Sequence, residues 1–104
     1  MINKIMDLFG MGAKTNYARL LNDGAIILDV RSAAEFSSGH IKEAINIPLD
    51  QLSNNLKKLK DKNKIIITCC ASGMRSAAAK SLLKSNGYTE VYNGGGWNSL
   101  RSKI

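Results

Sequence analysis

Residues 65–76 read IIITCCASGMRS and join an apolar run to a helical pattern. The isoleucines lead into two adjacent cysteines, Cys69 and Cys70, as a short buried strand of a parallel sheet does. Small residues follow, and beyond them Ala78 and Leu82 lie four positions apart on one face of an alanine-rich helical pattern. A strand, a loop and a helix in this order predict one unit of an α/β sheet, with the loop at the carboxyl end of the strand.

Strand-like and helix-like segments alternate along the rest of the chain. Short apolar runs predict strands, and apolar residues that recur every three or four positions predict helices. The predicted strands cover residues 25–30, 44–47, 65–69 and 90–92, and the predicted helices begin near Thr15, Ser32, Leu49 and Arg75. This alternation predicts an α/β fold, in which a central parallel sheet of about four to five strands has helices on both faces.

Three local patterns refine this outline. Ser32 and Glu35 have the spacing of a capping box at the start of a helix. Leucines spaced by three and four residues over residues 49–59 predict one amphipathic helix. The glycine run at residues 94–96 is predicted to lead out of the last strand into a terminal segment that contains Trp97.

Chain length and the N-terminal sequence set the expected organisation. With 104 residues, the sequence predicts a single domain over residues 1–104, in which residues 1–14 form an N-terminal extension or a short helix. Asp7 interrupts the apolar stretch that a secretory signal needs, so we expect a cytoplasmic protein that has no membrane partner. A disulfide between adjacent cysteines strains the peptide between them, and both thiols are therefore expected to be free.

The net charge of +7 arises from 15 lysine and arginine residues against 8 acidic residues, and the densest basic cluster lies in residues 57–64. A basic surface attracts nucleic acids or small anions. No aromatic residues alternate with these lysines, as a platform for stacked bases requires. We interpret the cluster as a solvated surface and expect no nucleic-acid partner.

The loop after the predicted strand at residues 65–69 is suited to a thiolate. A free cysteine is mostly protonated at neutral pH because its pKa is about 8.5. Unpaired amides at the start of a helix, converging N–H groups of small residues and a guanidinium group all favour the anion. The residues of this predicted active loop are Ala71, Ser72, Gly73, Met74, Arg75 and Ser76.

The two cysteines are expected to occupy different environments. Successive residues of a strand point to opposite sides of a sheet. Cys69, taken as the last strand residue, is expected to pack beneath a helix as a small buried hydrophobic residue, whereas Cys70 opens the loop. We therefore predict that Cys70 is the nucleophile.

An ordered series of motifs resembles the rhodanese-type sulfurtransferase domain. The series covers about residues 15 to 100, nearly the whole chain, in the order and spacing of that family. CASGMRS at residues 70–76 resembles the family's C-x-x-G-x-R-S active loop, although Cys69 stands where the family often has an aromatic residue. The other motifs are LDVRS at 28–32, EF at 35–36, GHI at 39–41, AINIP at 44–48 and a closing segment with Leu83, Gly87, Val91, Tyr92, the glycines 94–96 and Trp97.

This resemblance implies a sulfurtransferase in which Cys70 carries sulfur as a persulfide. The donor would be a small anion such as thiosulfate, or a persulfide, and the acceptor would be cyanide, a thiol or a protein. Amides of the loop would hold the persulfide anion, and Arg75 would orient the donor. Because the cysteine itself carries the sulfur, the resemblance implies neither a metal nor an organic cofactor. Asp29 and Arg31 are implied to support the architecture beside the loop.

His40 and Trp97 are interpreted as structural residues. His40 is the only histidine in the sequence, which excludes a site built from several histidines. We expect its ring to be held by a hydrogen bond, and we expect Trp97 to pack near the active loop.

Two other functions stay open. Counted from Cys69, the spacing to Arg75 is C-x5-R, which resembles that of cysteine phosphatases and some arsenate reductases. Against this reading, Cys69 is expected to lie within the strand, and the loop has no carboxylic acid to protonate a leaving group. The other alternative is a non-catalytic module for binding or redox sensing, although such modules often lack the cysteine.

Overall fold

Four parallel strands form the central sheet of the computed structural model, which describes residues 15–104. The strands are β1 (Ile26–Asp29), β2 (Ile45–Asn46), β3 (Ile66–Cys70) and β4 (Val91–Gly96). Their order across the sheet is β2-β1-β3-β4, and every pairing is parallel. The predicted α/β fold with a parallel sheet is confirmed. The predicted N-terminal extension, residues 1–14, lies outside the described residues.

Helices cover both faces of this sheet, as predicted. Leu52 and Leu83 pack against one face, and Leu20 and Leu100 pack against the other. Within residues 15–104, no helix is long and apolar enough to cross a lipid bilayer. The helices are α1 (Tyr17–Asn22), α2 (Ala33–Ser38), α3 (Leu49–Leu52), α4 (Met74–Ser85) and α5 (Trp97–Arg101), with a 3-10 turn at Leu56–Lys58.

Strand β3 is buried along its whole length and divides the core into two layers. Ile66 and Cys70 belong to the layer under α3 and α4, while Ile67 and Cys69 belong to the layer under α1 and α5. This division follows from the two-residue period of a strand. The prediction that Cys69 packs beneath a helix as a small buried residue is therefore confirmed, and Cys70 faces the opposite layer.

Helix starts agree with the sequence in one case and differ in another. The Ser32 hydroxyl accepts a hydrogen bond from the Glu35 amide at 3.2 Å, and the Glu35 carboxylate accepts one from the Ser32 amide at 3.0 Å, so the predicted capping box is present. Helix α1 was predicted to begin at a cap formed by Thr15, but the cap is the next residue, Asn16, whose side chain accepts a hydrogen bond from the Arg19 amide at 3.0 Å.

The leucine stripe over residues 49–59 was predicted as one helix, and this prediction is wrong. The segment forms α3 and a separate 3-10 turn. Ser53, Asn54 and Asn55 lie between them, and these residue types compete with helical hydrogen bonds because their side chains bond nearby backbone groups. The Asn55 side chain does so, donating to the Gln51 carbonyl at 2.7 Å.

The glycine run at residues 94–96 does not connect the last strand to the terminal helix as predicted, because it is part of β4. A Cβ at Gly94 would lie 2.8 Å from the Thr68 carbonyl oxygen, and a Cβ at Gly96 would lie 2.9 Å from the Ala71 carbonyl oxygen. Pairing between β3 and β4 is also irregular between Thr68 and Cys70. The glycines thus allow β4 to approach β3 and the loop that follows it.

Replacing Gly94 with alanine should destabilise the fold by about 1–3 kcal/mol, because the added methyl group overpacks the contact with β3. Urea unfolding followed by circular dichroism measures this change. Ser99→Ala, at an exposed position of α5, is the matched control and should change stability by less than about 0.5 kcal/mol. Equal stability of Gly94→Ala and the parent chain would contradict the close approach.

Candidate active site

Cys70 lies at the carboxyl end of β3, where the chain turns into α4. The predicted boundary was one residue too early, because Cys70 is the last residue of the strand and Ala71 opens the loop. The turn ends at Gly73, whose φ of 108° lies in the left-handed region, and α4 begins at Met74. A Cβ at Gly73 would lie 3.4 Å from the Gly95 Cα atom, so this corner of the loop is closely packed against β4.

The loop directs hydrogen-bond donors at the sulfur of Cys70. The amide of Gly73 lies 2.9 Å from Cys70 Sγ, and the amide of Ser76 lies 3.3 Å from it. The Ser76 hydroxyl oxygen is 3.4 Å from the same sulfur. Both amides belong to the N-terminal end of a 12-residue helix, where backbone N–H groups have no helical partner. The arrangement is an anion site built around one sulfur atom.

These contacts give the two thiols opposite acidities. Burial raises the pKa of Cys70, but the hydrogen-bonding groups of Ser76, Gly73 and Ser72 around the sulfur outweigh burial and leave the pKa below its ordinary value. Burial raises the pKa of Cys69 to about 12, and the nearby Asp29 carboxylate adds to this rise. At neutral pH, Cys69 is therefore a neutral thiol, while Cys70 has an increased thiolate fraction.

Arg75 lies on the first turn of α4 and forms a bidentate ion pair with Glu35 of α2. Its two terminal nitrogens are 2.8 and 3.0 Å from the two carboxylate oxygens of Glu35. The hydrogen bond from Arg75 lowers the pKa of Glu35 to about 2, with help from the Ser32 amide. The predicted guanidinium is thus beside the loop, but it is engaged by a carboxylate that the sequence had indicated only as a helix cap.

Asp29 and Arg31 form a second, buried ion pair at the end of β1. Arg31 Nη2 lies 2.8 Å from Asp29 Oδ2 and 2.6 Å from the Gly39 carbonyl oxygen, while Nε contacts both carboxylate oxygens. The guanidinium carbon stacks 4.5 Å from the centre of the Trp97 ring. These contacts fix the end of α2, which carries Glu35, against the sheet.

His40 and Trp97 occupy positions outside the sulfur's hydrogen-bond shell. His40 is exposed, stacks on Phe36 with ring centres 3.7 Å apart, and places Nδ1 2.7 Å from the Phe36 carbonyl oxygen. Trp97 contacts Arg31 on one side and Arg101 on another. Both arrangements agree with the structural interpretation of these side chains.

The surface around the loop is partly apolar. Met74 is 82% exposed at the start of α4. A cleft of about 330 Å³ lies beside Arg75 and offers space for a small substrate or part of a larger one. Its lining consists of Val30, Ser32, Pro48, Leu49, Asp50 and Arg75.

One polar residue of the site was not indicated by the sequence. Asn93 of β4 places its Oδ1 atom 2.6 Å from the Ser76 hydroxyl oxygen, and its Nδ2 atom lies 3.4 Å from the Gly73 carbonyl oxygen. Asparagine within a glycine-rich segment is typical of a turn, so the sequence pattern did not indicate that Asn93 lies beside the cysteine loop.

A parallel α/β sheet with a cysteine loop at the end of a central strand defines a class of protein, and comparison with known protein families identifies this class. The sequence model of the rhodanese-like domain family matches residues 13–103 of this chain. The chain therefore belongs to the rhodanese-like domain family, and the resemblance noted in its motifs is confirmed.

Two bacterial proteins are similar to most of this chain. The uncharacterized protein YqhL of Bacillus subtilis is 40% identical over 81 residues, which are 77% of this chain and 64% of YqhL. Thiosulfate sulfurtransferase PspE of Escherichia coli is 37% identical over 74 residues, which are 70% of this chain and 71% of PspE. The chain thus spans just under two thirds of YqhL and somewhat more of PspE.

Among solved structures, the human single-domain sulfurtransferase TSTD1 superposes with a TM-score of 0.73 at 29% identity. The match covers 85% of this chain and 91% of the human chain. Sulfurtransferases are therefore among the relatives of this chain by sequence and by structure.

At neutral pH, iodoacetamide should modify Cys70 and leave Cys69 unmodified. Both side chains are buried, but the pKa of Cys70 is lowered whereas that of Cys69 is raised to about 12, so only Cys70 has an increased thiolate fraction. Peptide mass spectrometry after brief labelling of the native protein measures the two occupancies, with labelling in denaturant as the control in which both react. Preferential labelling of native Cys69 would contradict the assignment.

The Glu35–Arg75 pair should stabilise the protein at neutral pH and lose this effect in acid. The pKa of Glu35 is lowered from 4.5 to about 2 in the folded state. Its contribution is therefore fully present above pH 4.5 and disappears as the pH falls toward 2. Unfolding of the parent and of Glu35→Gln, measured across this pH range, should show a stability difference that shrinks with acidity; a difference independent of pH would refute the pairing.

Proposed function

We propose that this chain is a sulfurtransferase that carries sulfane sulfur on Cys70. One observation supports the proposal most strongly: Cys70 Sγ accepts hydrogen bonds from the amides of Gly73 and Ser76 at the start of a helix. This geometry stabilises an anionic sulfur, which is the nucleophile in persulfide chemistry. Kinship to the thiosulfate sulfurtransferase PspE supports the same reading.

The reaction has two half-reactions. In the first, the Cys70 thiolate attacks the outer sulfur of thiosulfate, a new S–S bond forms, and sulfite leaves with the electron pair of the old S–S bond. In the second, cyanide or an acceptor thiolate attacks the outer sulfur of the persulfide, and Cys70 leaves as the thiolate. No net oxidation or reduction of the protein occurs, and the mechanism predicts ping-pong kinetics.

The residues of the loop have distinct roles in this proposal. Backbone amides of Ser72, Gly73 and Ser76 stabilise the charged sulfur, Ala71 begins the loop that carries them, and Met74 presents an apolar contact to the acceptor. Arg75 adds positive charge near the donor while Glu35 holds it in place. Asp29 and Arg31 fix the neighbouring strand end. The donor is a small anion such as thiosulfate, and the acceptor is a thiol, which the exposed Met74 allows to be part of a protein.

The proposal also covers the domain organisation, the compartment and the cofactor requirement of the chain. We infer one rhodanese-like domain that acts in the cytoplasm, a compartment in which thiols such as Cys69 and Cys70 stay reduced. The residues that perform the proposed chemistry are all supplied by the protein, so the reaction needs neither a metal nor an organic cofactor.

The alternative reading with Cys69 as a phosphatase nucleophile has little geometric support. Cys69 points into the layer that contains Leu100, on the face of the sheet opposite Cys70 and the cysteine loop. Its pKa of about 12 keeps it protonated. The loop amides described above are directed at Cys70 and not at Cys69.

Turnover of thiosulfate and cyanide to thiocyanate should depend on Cys70 and not on Cys69. Cys70→Ser should reduce turnover by at least about 10⁴-fold, as expected when a covalent nucleophile is removed. Cys69→Ser, the matched control, should retain activity within about tenfold if it folds, since Cys69 does not contact the reacting sulfur. Circular dichroism checks the fold of both variants.

Mass spectrometry after thiosulfate alone should show the parent chain heavier by one sulfur atom, and Cys70→Ser unchanged. Turnover by Cys70→Ser would refute the assignment of the nucleophile. Failure of the parent chain to gain sulfur from thiosulfate or from a low-molecular-weight persulfide would favour the non-catalytic binding or redox-sensing alternative.

A further inference from the structure

The Ser76 hydroxyl has one proton and three acceptors within reach. Its oxygen lies 2.6 Å from Asn93 Oδ1, 3.0 Å from the Gly73 carbonyl oxygen and 3.4 Å from Cys70 Sγ. A hydroxyl group can donate to only one of these acceptors at a time. The protonation of Cys70 is therefore coupled to the direction in which this hydroxyl points.

Contacts on β4 fix the orientation of the Asn93 side chain. The amide of Gly95 lies 2.9 Å from Asn93 Oδ1, and a backbone N–H can only donate. The atom that faces Gly95 must therefore be the oxygen of the Asn93 amide, which has no proton to give. Because the same oxygen faces Ser76 at 2.6 Å, Ser76 must be the donor in that contact.

The two protonation states of Cys70 differ in how well they fit this arrangement. In the thiol state, the Cys70 S–H donates to Ser76 Oγ and the Ser76 hydroxyl donates to Asn93 Oδ1, so each proton has an acceptor. In the thiolate state, Ser76 can stabilise the sulfur only by turning its proton away from Asn93. Two oxygen atoms would then face each other at 2.6 Å without a proton between them.

We propose that Asn93 is a positioning residue that holds the Ser76 proton away from Cys70 and so favours the protonated thiol. The sulfur anion is then stabilised chiefly by the amides of Gly73 and Ser76, while the Ser76 hydroxyl donates to Asn93 and not to the sulfur. The inference rests on the proposed function only in that Cys70 is taken as the reacting group.

The charged groups around Cys70 are paired with one another, and Asn93 itself is neutral. From α4, Arg75 approaches the loop, and its charge is balanced by Glu35 of α2. From the end of β1, Asp29 and Arg31 form a closed pair. Substitution of Asn93 removes no charge, so a change in the Cys70 pKa reports the hydrogen bonds around the sulfur.

Replacing Asn93 with alanine or leucine should lower the pKa of Cys70 by about one unit, because a hydrogen bond to a charged group becomes available and one unit corresponds to a tenfold change in ionisation. Leucine keeps the volume of the side chain if alanine destabilises the fold. The pKa is measured on reduced, sulfur-free protein from the pH dependence of thiolate absorbance and of iodoacetamide reaction. Asn54→Ala, an exposed asparagine in the connection after α3, is the matched control and should leave the pKa unchanged.

The same Asn93 substitutions in a Ser76→Ala background should shift the pKa by less than about 0.3 units, since the proton in question is gone. A merely structural role would misalign the loop amides, so the pKa would rise whether or not Ser76 is present. A rise, no change, or a shift that persists without Ser76 would overturn the inference. Since no sulfur transfer is involved in the measurement, a chain that fails to turn over thiosulfate can still show the shift, and the two proposals fail separately.

Discussion

The hydrogen bonds from two backbone amides to one buried sulfur are the interaction on which the rest of the site depends. They form only if the chain reverses within three residues after β3, which requires the left-handed conformation of Gly73. The reversal in turn places the first turn of α4 against the sulfur, so that the open end of the helix faces Cys70. β4 supports this corner because glycine lets its backbone approach the loop more closely than any side chain would permit.

Charge near the sulfur is provided mainly by backbone groups and not by free cations. The two arginines that the motifs place beside the site, Arg31 and Arg75, each form an ion pair with a carboxylate. Arg31 joins the strand end to α2, and Arg75 joins α2 to α4, so together they connect the parts of the fold that surround the loop. Amide dipoles are fixed by the backbone and do not titrate, so the fold itself organises this anion site.

Local patterns were sufficient for the architecture but not for contacts across the fold. Alternation along β3 predicted the opposite orientations of Cys69 and Cys70, because a two-residue period needs no tertiary information. The Glu35–Arg75 pair spans 40 positions in the sequence, and no spacing rule connects residues so far apart. The contacts of Asn93 with the cysteine loop likewise join distant parts of the sequence. The glycines after Asn93 were predicted to form a connection, because their close packing against β3 is visible only once the strands are paired. Likewise, the leucine stripe at residues 49–59 shows that apolar spacing predicts which residues are buried better than it predicts helix continuity.

The opposite orientations of the two cysteines have a consequence for oxidative damage. A cysteine oxidised to sulfenic acid can be rescued when a second thiol condenses with it to form a disulfide. Cys69 is the only other cysteine in the sequence, and the sheet itself separates its side chain from that of Cys70. Adjacent in sequence, the pair cannot serve as attacking and resolving thiols without disruption of β3. A disulfide that rescues an oxidised Cys70 therefore requires a thiol outside this sequence, such as a small reductant or a partner protein.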